Sequence, residues 1–172
     1  MLNKTAISRP ITVALITAIF ISSLAAAQAA RITRADFEIL KGNWKGQLRY
    51  LDYSSNKLVT IPANVLVEME GANQFSLSVY YTEEPDHNAV DQYEIKEAGT
   101  QLNDEKVLQR LVRDDGTVII TTETRGTDGN DHKASTFRFT YTISGNAFTL
   151  LKEVKHDGDE KYFERNQYSF TR

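Results

Sequence analysis

The sequence predicts an all-β fold: an antiparallel up-and-down meander closing into a barrel of about 8–10 strands, preceded by a short N-terminal helical turn. Three observations carry the prediction. From Gly42 onward apolar and polar residues alternate in runs, the period of strands with one buried face. Turn clusters separate the runs, among them Ser54-Ser55-Asn56, Asp115-Gly116, Gly145-Asn146 and Asp157-Gly158-Asp159. With about ten strands and a reversal at each hairpin, the last strand runs antiparallel to the first and can pair with it, leaving no free edge. A flattened sandwich with the same strand order is the alternative.

The first 29 residues stand apart from the fold. Lys4 and Arg9 precede an apolar run from Ile11 to Leu24, and Ala27-Gln28-Ala29 supplies a small-x-small cleavage pattern. Residues 1–29 therefore read as a secretory signal peptide and residues 30–172 as a single domain, periplasmic or secreted. An uncleaved anchor is the competing reading, but the run is shorter than the ~20 residues a spanning helix needs. No Cys is present, so a lipid-modified Cys is excluded and the core alone must hold the fold. Without Lys4 and Arg9 the formal charge moves from −3 to about −5, which argues against nucleic acid or anionic lipid as partner.

Arg31 to Lys41 carries Ala35, Phe37, Ile39 and Leu40 and reads as a helical turn or plug, with an extended lead-in as the alternative. The first strand, Trp44 to Tyr53, holds the only Trp; Trp44, Gly46, Leu48, Tyr50 and Asp52 share one face. Val59 to Met69 forms the second strand, where Pro62 marks a bulge or an unpaired position because it lacks a backbone donor. Phe75 to Tyr81 forms the third, and the polar stretch Thr82 to Asn88 a loop. Asp91 to Lys96 is the fourth and Thr100 to Asn103 a short fifth. Val107 to Arg113, Thr117 to Arg125, Lys133 to Ile143, Ala147 to Lys155 and Lys161 to Thr171 complete the set.

Gly42-Asn43-Trp44 opening the first strand, the short helix before it and a basic residue ending the last strand resemble the lipocalin-like (calycin) proteins. The resemblance covers the chain from residue 30 in layout, while its motif is confined to these few residues. It implies a structural pair: Trp44 closing the barrel floor, covered by Arg172 in a cation–π contact. It also implies an interior that accepts a small, largely apolar molecule.

Candidate ligand-binding residues come from polar or aromatic side chains on the inward face. Pairing the last two strands about Gly158 sets Lys152 opposite Glu164, and pairing Arg172 with Trp44 sets Glu164 opposite Asp52. The expected result is an inward row Asp52–Glu164–Lys152 near the mouth, with Asn166 and Tyr50 one layer below. That row reads either as a head-group clamp or as a paired ion network at a wet rim. Tyr81 and Tyr141, with the other inward aromatics, would line a pocket or fill the core.

His87, His132 and His156 fall in upper loops beside acids, yet their spacing matches no metal motif, and Asp128-Gly129-Asn130-Asp131 lacks the twelfth-position Glu of a calcium loop. No metal or cofactor is expected. With no Cys and no Gly-x-Ser-x-Gly elbow, catalytic residues are not assigned either.

The expected function is thus an exported binding protein for a small, largely apolar ligand. The alternative is an envelope accessory or inhibitor protein with a solid barrel, binding another protein through its upper loops. An enzyme using Asp52 and Glu164 is a third reading. Amino-terminal sequencing of the exported protein should begin at Ala30 or within about two residues of it. Intact Met1 in the soluble extracytoplasmic fraction would refute the signal peptide.

Overall fold

In the computed structural model the protein is described from residue 29 to residue 172. The signal peptide expected at 1–29 lies outside the described residues, Ala29 excepted. A five-residue helix α1 (Arg34–Glu38) leads into ten strands: β1 (Gly42–Asp52), β2 (Lys57–Met69), β3 (Gln74–Tyr81), β4 (Ala89–Lys96), β5 (Gln101–Leu102), β6 (Glu105–Val112), β7 (Val118–Asp128), β8 (Lys133–Ile143), β9 (Ala147–His156) and β10 (Phe163–Thr171). Every strand pairs antiparallel with the next, and β10 pairs with β1, so the meander is a closed barrel rather than a sandwich. No helix among the described residues is long and apolar enough to cross a membrane.

The register of β1 follows from its alternation. Trp44 and Leu48 face the core while Asn43, Lys45 and Gln47 are exposed. Gly46 is required there by close approach, because a Cβ would lie 2.0 Å from the Ser169 carbonyl and 2.8 Å from the Phe170 ring. Pairing of β1 with β2 runs unbroken through Gln47 and Pro62. Pairing of β2 with β3 reaches only to Ala63 and Tyr81, so Pro62 occupies the unpaired position and not a bulge.

The floor is built around Trp44, 1% exposed, whose indole N–H donates to the Leu40 carbonyl at 2.6 Å. The Arg172 guanidinium lies 4.3 Å from the indole centroid. It also donates to the carbonyls of Ile39 (2.9 Å), Gly145 (3.1 Å) and Lys41 (3.2 Å), tying the lead-in, the floor and the β8–β9 turn together. Phe148 meets the indole edge-on at 6.4 Å and stacks on Phe170 at 5.8 Å.

Helix α1 plugs one side of this floor. Phe37 is fully buried, stacked on Phe75 at 4.6 Å. Asp36, 3% exposed, accepts from the Thr33 backbone N–H at 2.8 Å and from Arg110 Nε and Nη2 at 2.9 and 2.5 Å. That charge-assisted fork satisfies a carboxylate otherwise costly to bury, and it fixes α1 to β6. Ahead of α1 the Ile32 N–H donates to the Gly99 carbonyl at 2.8 Å. Gly99 has φ +90°, and a Cβ there would lie 2.2 Å from the Ile32 carbonyl, so no other residue fits.

Three places depart from a regular barrel, one of them a register shift between Val107 and Gln109 where β6 pairs with β7. Strand β5 pairs with β4 only at Ile95–Leu102 and Lys96–Gln101, leaving the mouth-side half of β4 with no strand on that flank. The Asn103 side chain takes the missing strand's place, accepting from Glu94 N–H at 2.8 Å and donating to the Gln92 carbonyl at 2.9 Å. In β10 a bulge between Glu164 and Asn166 breaks the pairing with β9.

Truncating the floor tests how far closure depends on it. Trp44→Ala should cost about 3–5 kcal/mol, a large buried aromatic lost from a packed site. Arg172→Ala should cost about 1–2 kcal/mol, because its contacts are partly solvated. Denaturant titration of both variants reads the difference directly, and a near-neutral Trp44→Ala would contradict the packing described.

Candidate functional site

The barrel interior is not filled. A cavity of about 440 Å³ is lined by Tyr93, Glu105, Phe139, Leu150, Lys152, Asn166 and Tyr168, with exposed Val90, Asp91 and Gln92 and the side chain of Asn103 forming its outer lip. Beside it, toward the mouth, lies a cleft of about 330 Å³ lined by Leu48, Tyr50, Ile61, Tyr81, Glu84, His87, Arg165 and Asn166. Asn166 belongs to both spaces. Eight strands supply the walls of the two spaces, and the short β5 opens them to solvent beside β4.

Glu105 opens β6 and points inward. One carboxyl oxygen, Oε2, accepts from the Thr122 hydroxyl and, at 3.4 Å, from the Tyr141 hydroxyl. The residue is only 8% exposed, and burial pushes its pKa up to about 7, with Asp104 adding to the rise and Thr122 opposing it. Tyr141, 2% exposed, is held well above its ordinary range by burial and by Tyr93 and Glu105. Asp91 at the lip is raised by desolvation. Tyr81 and Tyr168 share a 2.6 Å hydrogen bond between hydroxyls.

Among the described residues Lys152 is the one cation lining this cavity. Its Nζ sits 4.3 Å from the Phe137 centroid and 5.7 Å from that of Phe139, and among the described residues no carboxylate lies within 4 Å of it. Burial lowers its pKa against the pull of Asp128. Its cross-strand partner is Asn166.

The polar row expected from the sequence is not formed. The β1–β10 register holds as far as Tyr50–Asn166, and there the bulge intervenes. It turns Glu164 to the outside, where its carboxylate accepts from Arg49 Nε at 2.9 Å and Nη2 at 2.8 Å. This half-exposed pair is worth under ~1 kcal/mol. Lys152 lies opposite Asn166 and not Glu164, because the β9–β10 pairing is shifted by two residues. Asp52 folds onto its own turn, accepting from the Ser54 N–H (2.9 Å) and the Ser54 and Ser55 hydroxyls (both 2.6 Å), which hold its pKa down to about 2. Of the other candidates, Tyr50, Tyr81 and Asn166 line the cleft, Lys152 and Asn166 the cavity, and Tyr141 lies behind the wall on Glu105.

The bulge puts Arg165 inward in Glu164's place. Its guanidinium lies 4.0 Å from the Tyr53 centroid, donates to the Leu51 carbonyl, and has Nε 3.7 Å from Asp128. Asp128, 7% exposed, also accepts from the Tyr53 hydroxyl and faces His156 Nε2 at 3.3 Å. Burial and this carboxylate push Tyr53 up to about 12. The stretch that faintly resembled a calcium loop thus spends its first carboxylate on protein donors. No group of three or more His, Cys, Asp or Glu among the described residues is arranged to hold a metal ion.

No protein-family model matches the chain, and no curated protein matches it. Among solved structures, the crystal structure of Rv2717c from M. tuberculosis is similar at 14% sequence identity, covering 80% of this chain and 95% of that one, with a TM-score of 0.49. What stands of the lipocalin-like expectation is the closed antiparallel barrel with Arg172 over Trp44. Membership of that family is not established by these comparisons.

The Glu105 environment gives a signed pH dependence. A carboxyl with a folded pKa near 7 and an ordinary unfolded value binds more protons when folded, so stability falls as pH rises between about 4.5 and 7. Glu105→Gln removes that loss. The stability difference between Glu105→Gln and the parent should move in the variant's favour by on the order of 3 kcal/mol across that window and stay level above it. Urea titrations at pH 4.5, 6, 7 and 8 measure it; a constant difference would mean the carboxyl is ionised at ordinary pH.

Proposed function

We propose that this chain is an exported binding protein, periplasmic or secreted, that takes a small, largely apolar molecule into the barrel. The observation that carries the reading is the cavity of about 440 Å³, open beside β4, in which the walls at Tyr93, Phe139, Leu150 and Tyr168 stand against the polar side chains of Glu105, Lys152 and Asn166. In ligand sites apolar walls supply affinity and placed polar groups supply orientation, and both kinds of surface meet in this cavity. Space of this size weighs against the alternative, which needs a solid barrel whose upper loops alone meet a partner. Binding is favoured over catalysis because Asp52 and Glu164, the carboxylates an enzyme reading would use, are engaged separately by a turn and by Arg49. Export rests on the leader-like sequence of residues 1–29.

Native mass spectrometry of the protein isolated from its own host should show a retained small molecule. Asn166→Phe, which places a ring where cavity and cleft meet, should lose it while melting as a folded protein. Recovery of the parent with no adduct, together with failure to take up an apolar fluorophore, would overturn the reading.

A further inference from the structure

Lys152 and Asn166 face each other across β9 and β10, both turned into the cavity. Directly opposed side chains have Cβ atoms roughly 4.5–5.5 Å apart, so one small group can meet both. Neither is spent on the protein. Lys152 is held only over ring faces, and among the described residues the Asn166 side-chain amide has no hydrogen-bond partner. A half-buried ammonium without a counter-ion is costly, and it costs least when a bound anion completes it.

The acids nearby do not serve that role. Asp128 is occupied by Tyr53, His156 and Arg165, and Glu105 is turned to Thr122 and Tyr141. Asp91 stands at the exposed lip.

We propose that the cavity receives an organic monoanion, an apolar body carrying one carboxylate or similar group, with the anion paired to Lys152 and hydrogen-bonded by Asn166. This inference rests on the binding function proposed above and names the ligand class. Aromatic walls at Tyr93, Phe139 and Tyr168 suit a flat body. Glu105 then sets a pH dependence, since its carboxyl tolerates an anion in the same cavity while neutral and repels it once ionised. The titratable groups facing Glu105 are Asp91 and Tyr93 from β4, Asp104 before it, Tyr141 from β8 and Lys152 from β9; Asp36 of α1 is held by Arg110.

The test uses three probes with one body and different head groups: 2-naphthoate, 2-naphthylmethanol and 2-naphthylmethylamine, titrated calorimetrically into the protein. At pH 6 naphthoate should bind at least tenfold more tightly than the alcohol, and the amine most weakly. Between pH 6 and pH 8 naphthoate should weaken several-fold while the alcohol does not, and Glu105→Gln should flatten that profile. Lys152→Met should abolish the preference for naphthoate over the alcohol, and Lys152→Arg should restore it. Equal binding of naphthoate and alcohol, or tightest binding of the amine, would overturn the anion site and leave the binding function standing. Binding of none of the three would overturn both.

Discussion

Closure of the sheet by the pairing of β1 with β10, with Arg172 in contact with Trp44 at the floor, is the constraint on which the rest of the structure depends. With no Cys and, among the described residues, a single α-helix of five residues, nothing else there covers the edges of β1 and β10. The contact is more than a ring under a cation. Arg172 also donates to carbonyls of the segment that leads into β1 and of the β8–β9 turn, so one side chain joins two distant parts of the chain to the end of β10. The fixed floor sets the β1–β10 register, and that register determines which residues of β10 reach the cavity.

A single bulge then decides the chemistry of the mouth. Regular alternation would point Glu164 inward and Arg165 outward. The extra residue exchanges them, so a cation takes the interior position where a carboxylate was expected, and Asp128 rather than Asp52 becomes its partner. A bulge costs one ladder position, and here it re-aims two oppositely charged side chains at once. Lys152 and Asn166, just below, keep their free donors because the nearest acids are satisfied elsewhere.

Much of this was legible in the sequence. Alternation around Trp44 identified its buried face, the turn clusters divided the strands, and counting reversals gave the closure. The polar row failed for reasons that can be located. The turn between β9 and β10 was centred on Gly158, and moving that centre by one residue moves every partner by two. A trace of the bulge was visible: Phe163 has the opposite parity to Tyr168 and Phe170, yet all three are apolar residues that a one-sided strand would place on a single face. Glu105 was missed because the sixth strand was begun at Val107, although the two share parity and therefore a face. Its hydroxyl partners on β7 and β8 are distant in sequence and left no local signal.

The position of Arg172 also orders events in time. Strands β1 to β9 can pair one hairpin at a time as the chain grows, each contact being local. The floor cannot form that way, because Trp44 must wait for a residue near the far end of the chain. Whether the chain emerges amino end first from a ribosome or from a membrane pore, the indole and the unpaired flank of β1 stay uncovered until Arg172 is through. Such long-range closure is slow and exposes an apolar edge in the interval. A barrel of this construction spends its synthesis as an open sheet, and the strand that carries its only Trp is the one exposed longest.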